Sequence, residues 1–87
     1  MNDFPRYQNK EIKATKEAVE ELWHLKKDLW NALEILEEGY PCERSKRKKN
    51  ILERCIRKGK IIYKAVVVDC DDYWLVIHFG KFVYKKR

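Results

Sequence analysis

Three side chains in the second half of the chain, Arg54, Tyr63 and His78, have the chemistry needed to act on a phosphate. A guanidinium binds phosphate oxygens, a phenol donates a hydrogen bond, and an imidazole accepts or releases a proton near neutral pH. The three residues are far apart along the chain, so they can act together only if the fold brings them to one surface. The alternative is that His78 is an ordinary half-buried strand residue without a catalytic role.

Two runs rich in β-branched and aromatic residues, 61–68 and 73–79, predict a β-hairpin with a polar turn between them. A two-stranded sheet is only marginally stable in water, so the hairpin needs a third strand. Residues 51–57 are ambiguous, because their apolar positions fit one face of a helix while their place before a tight turn fits a strand. The need for a third strand favours the second interpretation, and we predict a strand.

The predicted turns determine which side chains share a face of this meander. If residues 71–72 and 58–59 are central in their turns, Arg54 lies opposite Tyr63. The face predicted to pack on the helices carries Ile62, Val66, Val68, Leu75, Ile77 and Phe79. The face predicted to remain open carries Leu52, Arg54, Tyr63, Ala65, Trp74, Val76 and His78. On that open face, Tyr63 and Trp74 would either stack on bases or cover part of the core.

Residues 16–38 have an apolar stripe at helical spacing. Thr15 is a suitable N-cap, Gly39 a suitable residue to follow the helix, and Pro41 prevents its continuation. Asp28 could cap a second helix, and two short helices would cover a small sheet better than one rod of about 35 Å. One long helix and two short ones are both compatible with the stripe, and two are favoured.

The chain is long enough for one small domain, predicted at residues 11–84. Residues 1–10 are predicted to form a flexible arm, 11–14 a short edge strand, and 85–87 a basic tail. The predicted fold class is α+β, in which an N-terminal helical hairpin, or one long helix, packs on a small antiparallel β-meander of three to four strands.

The chain is basic, with 20 Lys and Arg residues against 14 Asp and Glu residues, a net charge of +6. Most of the excess lies beyond residue 43, in a field that favours phosphates or an acidic partner. A dense run of cations precedes the predicted third strand and comprises Arg44, Lys46, Arg47, Lys48 and Lys49. Such a run is either a solvated loop or a loop that contacts nucleic acid phosphates.

The three cysteines, Cys42, Cys55 and Cys70, are odd in number and widely spaced, which predicts reduced thiols. Neither a Cys-x-x-Cys pair nor a histidine cluster is present, so we expect no metal and no cofactor. The chain lacks an apolar run long enough for a signal peptide or a membrane span. These features predict a cytoplasmic protein without a membrane partner.

The order of elements resembles the small DUF4258-type and RelE/ParE-like toxin families over about residues 11–84. The resemblance rests on the helical pair ending at Gly39, the Arg/Lys run, and the segments 58–60, 63–68 and 74–80. It implies a helical hairpin on an antiparallel sheet, and a metal-independent endoribonuclease of a toxin–antitoxin system. In such an enzyme a ribose 2′-OH attacks the neighbouring phosphate, assisted by scattered arginine, lysine, histidine and tyrosine residues.

The residues of this chain that correspond to those types are Arg54 and Lys60 to bind the phosphate, His78 as acid or base, and Tyr63 or Tyr84 as a hydrogen-bond donor. The predicted function is therefore a toxin-like domain acting on RNA, with RNA or the ribosome and an acidic antitoxin-like protein as partners. The alternative is a non-catalytic module that binds an acidic protein or nucleic acid. A third interpretation is a homodimer formed through the stripe that holds Trp23 and Trp30.

Overall fold

The computed structural model describes residues 4–42 and 49–84. Over these ranges the chain forms, in order, β1 (Arg6–Tyr7), β2 (Lys10–Ala14), α1 (Lys16–His24), α2 (Leu29–Glu38), β3 (Tyr40–Pro41), β4 (Ile51–Lys58), β5 (Ile61–Asp69) and β6 (Tyr73–Val83).

The strands form one six-stranded mixed sheet in the order β1-β2-β6-β5-β4-β3, curved into a half-barrel. β2 pairs with β6 in parallel, and the other neighbours are antiparallel. The predicted N-terminal helical hairpin on a three- to four-stranded antiparallel meander is therefore wrong, because two strands precede the helices. The segment predicted as a flexible arm contributes β1 and the first residue of β2.

The prediction of two helices is confirmed, and both N-caps are where the sequence places them. The Thr15 hydroxyl accepts a hydrogen bond from the Ala18 N–H at 3.1 Å. Asp28 accepts from the N–H groups of Trp30 and Asn31, and the Asn31 side chain accepts from the Asp28 N–H, which completes a capping box. Between the helices Lys26 has a φ of 56°, so the chain turns without a glycine.

The prediction that residues 51–57 form a strand is confirmed, since β4 pairs with β5 along its full length. The turn between them is centred on Gly59 and Lys60, because Lys58 pairs with Ile61. Gly59 has a φ of 64°, which a hairpin turn of this kind requires at its first central residue. Arg54 consequently lies opposite Ala65 rather than opposite Tyr63.

A β-bulge in β6 decides which side chains face the helices. Val66 pairs with His78 and Val67 with Val76, so Ile77 is an extra residue that interrupts the alternation. Because of this extra residue, Phe79 joins Tyr63 and Trp74 in the core beneath α1 and α2, while His78 lies on the opposite side of the sheet. The predicted faces are therefore right for Phe79 and His78 but wrong for most of the other residues. Tyr63, Ala65, Trp74 and Val76 lie beneath the helices and not on the open face.

The core lies between the two helices and one face of the sheet, which we call the helix face; the other is the open face. Its buried members are Ile12, Ala18, Leu22, Ala32, Ile35, Leu36, Ala65, Val67, Trp74, Val76 and Phe79. Trp74 also anchors the N-terminal strands, because its indole N–H donates to the Tyr7 carbonyl at 3.0 Å. Among the described residues, neither helix is long and apolar enough to cross a membrane.

Two of the cysteines form a disulfide, so the prediction of three reduced thiols is wrong for Cys42 and Cys55. Tyr40 in β3 pairs with Cys55 in β4, which brings the two cysteine Cα atoms to 5.5 Å from each other. Both cysteines are buried against Ile62 on the open face. Cys70 is a free, half-buried thiol.

Candidate nucleic-acid interface

Two of the residues predicted for catalysis, Arg54 and Tyr63, lie on the helix face. The Arg54 Nη1 donates to the Gly39 carbonyl at 3.4 Å, and its Nε is buried without a hydrogen-bond acceptor in the described part of the chain. The Tyr63 ring packs against the core, 6.4 Å from the ring of Phe79, and the Lys27 ammonium lies 4.7 Å above it. Both side chains are thus engaged with the helical layer.

His78 lies on the open face and is exposed. Its Nδ1 is 3.8 Å from the Glu21 Oε1, and the same carboxylate oxygen accepts a hydrogen bond from the Phe79 N–H at 3.0 Å. The sheet separates His78 from Arg54 and Tyr63, so the convergence of these three residues on one surface, as predicted from the sequence, is wrong.

His78 does line a shallow depression of about 240 Å³, together with Glu21, Lys64, Val66, Phe79 and Gly80. The Lys64 ammonium forms an ion pair with the buried Glu53 carboxylate at 2.8 Å, which neutralises its charge locally. The depression therefore offers an imidazole beside a carboxylate, a pair suited to proton transfer. Sequence reasoning did not find Glu21, because its approach to β6 depends on how α1 packs.

Lys60 and Tyr84, the two residues that the family resemblance added, meet at one end of the sheet. The Lys60 carbonyl accepts a hydrogen bond from the Tyr84 N–H at 2.7 Å, which ties the β4–β5 turn to the residue after β6. Next to them the Arg57 guanidinium lies 4.0 Å from the centre of the Tyr84 ring. This distance is short enough for a cation–π contact.

Exposed aromatic and basic side chains alternate at this end of the sheet. Phe82 and Tyr84 are 49% and 40% exposed, and Lys60 is exposed in the adjacent turn. Lys81 is exposed at the same end of β6 but on the helix face, since it pairs with Tyr63. We call the set Arg57, Lys60, Lys81, Phe82 and Tyr84 the basic–aromatic end.

Lys58 is close to this end, but its charge is already balanced. Its ammonium forms an ion pair with the Glu34 carboxylate at 2.7 Å. The hydrogen bond to Glu34 raises the pKa of Lys58 above its ordinary value. Lys58 is therefore not included in the basic–aromatic end.

The strands β5 and β6 carry acidic residues only at their far end, at Asp69 and in the turn that follows it. Residues 54–68 and 73–87 contain no Asp or Glu. This acid-free composition is the sequence signal that could have identified the basic–aromatic end, since every charged side chain in those two segments is a cation.

The predicted phosphate-contacting loop cannot be assessed in the same way. Arg44, Lys46, Arg47 and Lys48 lie outside the described residues. Lys49 is exposed in the turn before β4. This turn is at the opposite end of β4 from Arg57, at a distance of about 25 Å for a strand of this length.

The charges of the whole chain are strongly segregated. Residues 15–39, which form the helical layer, contain three lysines against seven carboxylates, a net charge of −4. The remainder of the chain contains 17 cations against seven carboxylates, a net charge of +10. The positive field that could attract a polyanion therefore belongs to the sheet and not to the helices.

Comparison with known proteins gives no relative: neither a family model, nor a curated protein, nor a solved structure matches this chain. Within residues 4–42 and 49–84 there is also no group of His, Cys, Asp or Glu side chains arranged to hold a metal ion. The functional argument therefore rests on the surface chemistry described above.

Proposed function

We propose that this protein binds single-stranded RNA through the basic–aromatic end of its sheet. The observation that carries the proposal is the contact of Arg57 with the Tyr84 ring beside the exposed ring of Phe82. Proteins that bind single strands combine cations for the phosphates with aromatic rings on which unpaired bases stack. Both groups are present at this end of the sheet, and residues 54–68 and 73–87 contain no acidic residue.

A single strand fits this surface better than a duplex, because bases can stack on a protein ring only when they are unpaired. The choice of RNA over DNA follows from the resemblance to RelE/ParE-like toxins, and the two are separated by comparing oligonucleotides of the same sequence. A protein partner of acidic character is the competing use of the same positive field.

The test is fluorescence anisotropy with a labelled oligouridine at several salt concentrations. Phe82→Ala and Tyr84→Ala should each weaken binding by about 5- to 140-fold, since stacking contributes about 1–3 kcal/mol per base. Arg57→Gln should weaken binding and make the slope of log K against log salt shallower by about 0.7 per lost phosphate contact.

Trp23→Ala is the matched control, because Trp23 is an exposed aromatic residue on the acidic helical layer. It should leave RNA affinity unchanged. Equal losses for Trp23→Ala and Phe82→Ala, or no binding at low salt, would overturn the proposal.

A second candidate function is metal-independent RNA cleavage at His78, favoured by the position of its imidazole beside Glu21. His78 and Phe82 share the open face and are about 13 Å from each other along β6. In such a reaction the imidazole would remove the proton of a ribose 2′-OH. The 2′ oxygen would bond to the neighbouring phosphorus, the P–O5′ bond would break, and the departing O5′ would take a proton from solvent water.

His78→Ala should then abolish cleavage of a bound RNA while binding is retained. Glu21→Gln keeps a hydrogen-bond acceptor for the Phe79 N–H but removes the negative charge beside the imidazole, so it should slow cleavage without unfolding the protein. Cleavage that survives His78→Ala would exclude this role.

The toxin–antitoxin assignment is a further proposal that the RNA experiment does not decide. A neighbouring reading frame with an acidic product that binds this protein and relieves a growth defect would support it. A growth rate unaffected by expression of the protein alone would speak against it.

A further inference from the structure

The helical layer carries the largest exposed aromatic side chains of the described residues. Trp23 in α1 is 75% exposed, Trp30 in α2 is 50% exposed, and Phe4 beside them is 54% exposed. They border a groove of about 360 Å³ whose floor is apolar and includes Val19, Leu22 and Leu29. The groove is about the size of a small ligand pocket.

The two tryptophan rings of the helical layer are not part of the buried core. The third tryptophan, Trp74, is buried in the core and has a hydrogen-bond partner, whereas Trp23 and Trp30 face the solvent. Exposed tryptophans next to an apolar groove mark a docking surface, because tryptophan contributes more than most residues to the core of an interface.

The charge around this groove restricts what can occupy it. The exposed charged side chains of the two helices and their connection are mainly acidic: Glu17, Glu20, Asp28, Glu37 and Glu38 against Lys16 and Lys26. Of the remaining charged side chains of the helical layer, Lys27 lines the groove and lies over the Tyr63 ring. Glu34 pairs with Lys58, and Glu21 accepts a hydrogen bond from the Phe79 N–H.

This charge excludes two occupants. RNA would be repelled by the carboxylates and has a better surface at the other side of the molecule. A second copy docked symmetrically would bring one acidic helical layer against another, which costs free energy. The surface is complementary to a partner that is both apolar and basic.

We propose that the groove between Trp23 and Trp30 binds a basic amphipathic helix of another protein. The apolar side chains of that helix would insert between the two indoles, and its lysines and arginines would face carboxylates such as Glu20 and Glu37. This is the common mode in which an amphipathic helix lies in a hydrophobic groove. The proposal is independent of RNA binding, because it uses the opposite side of the molecule and the opposite charge.

The probe is a synthetic peptide of about 18 residues that contains only leucine and lysine, with the leucines at helical spacing. It carries no aromatic residue, so a change in tryptophan emission reports on the protein alone. We expect saturable binding with a shift of the emission to shorter wavelength. Two matched peptides serve as controls: one with glutamate in place of lysine, and one with the same composition in an order that destroys the apolar face.

Trp23→Ala and Trp30→Ala should each weaken binding of the basic peptide by about tenfold or more. Glu20→Lys should weaken it and make it less sensitive to salt. Phe82→Ala, at the basic–aromatic end, should have no effect. The far-ultraviolet circular dichroism of each variant checks that the fold is retained. We expect it to be retained, because Trp23 and Trp30 are exposed.

Three results would overturn the proposal. The glutamate peptide, or the peptide whose residue order destroys the apolar face, could bind as tightly as the basic amphipathic peptide. Trp23→Ala and Trp30→Ala could both leave binding unchanged. The protein could also sediment as a dimer that Trp23→Ala dissociates, in which case the occupant is a second copy.

Discussion

At the scale of single residues, Gly39 shows that a correct sequence signal can have a different physical cause. Glycine was expected there because it ends helices in a left-handed conformation. In the structure the φ of Gly39 is −80°, which any residue can adopt. Glycine is required because a Cβ at this position would lie within 2.5 Å of the Cys55 carbonyl oxygen and closer still to that of Ile35.

We therefore expect Gly39→Ala to lower the free energy of unfolding by about 1–3 kcal/mol, as overpacking between α2 and β4 generally does. Urea denaturation measures this. Gly80→Ala is the control, since a Cβ there meets no atom within 4 Å, and its effect should stay within about 0.5 kcal/mol. Equal effects at both glycines would contradict the explanation.

Asp69 is the residue whose ionisation is most clearly linked to folding. Its carboxylate accepts hydrogen bonds from the Lys10 ammonium and from the Asp71 N–H, and these hold the pKa of Asp69 below its ordinary value of 3.8. A carboxyl group whose pKa is lower in the folded than in the unfolded state stabilises the folded protein at pH values above the ordinary pKa. This contribution is lost as the pH falls through the lowered value.

Asp69→Asn should accordingly be less stable than the wild type near pH 7, and the difference should shrink as the pH falls below about 4. Thermal unfolding of both proteins between pH 7 and pH 2 measures this difference. Asp71→Asn is a suitable control, because asparagine tolerates the φ of 65° found at this position. A difference that does not vary with pH would show that the ionisation of Asp69 is not the cause.

At the scale of secondary-structure elements, the features predictable from the sequence are those determined by near neighbours. The N-caps at Thr15 and Asp28 each require only residues two or three positions further on, and both were predicted correctly. The strand at 51–57 was predicted because a hairpin needs a third strand. Each of these inferences depends on local geometry or on a general requirement of sheets.

The features that the sequence did not reveal depend on contacts between distant segments. The bulge at Ile77 reverses the alternation in β6 and so places His78 on the other face from Tyr63. No residue pattern within β6 predicts this bulge. The parallel pairing of β2 with β6 joins the two ends of the domain, from Glu11 opposite Tyr73 to Ala14 opposite Val76. For this reason the predicted convergence of Arg54, Tyr63 and His78 is wrong, although the strands that carry them were correctly predicted.

The disulfide between Cys42 and Cys55 also depends on strand pairing, since Cys42 directly follows β3, which pairs with β4 at Cys55. The bond spans a sequence separation of 13 residues. A loop of this size is expected to contribute about 3 kcal/mol by restricting the unfolded chain.

Reduction, or the double replacement Cys42→Ser and Cys55→Ser, should therefore lower the free energy of unfolding by about 2–4 kcal/mol. Denaturation with and without a thiol reductant measures this. Cys70→Ser, which leaves the disulfide intact, should retain the sensitivity to reductant. A wild-type stability that is the same in both conditions would contradict the role of the bond.

At the scale of the whole molecule, the main feature is the separation of an acidic helical layer from a basic sheet. The net charge of +6 read from the sequence is the sum of two opposed parts, −4 for residues 15–39 and +10 for the rest. The total charge is therefore readable from the sequence, whereas its division between the helices and the sheet becomes visible only once the elements are assigned. The two aromatic surfaces differ in charge in the same way. The basic–aromatic end is suited to phosphates, and the groove between Trp23 and Trp30 is suited to a basic helix.

The most direct test of this account is the map of amide chemical-shift changes when oligouridine is added to the isotope-labelled protein. The account predicts the largest changes at Arg57, Lys60 and Phe82, and only small ones in α1 and α2. Changes centred on Trp23 and Trp30, or none at any amide in RNA excess at low salt, would contradict it.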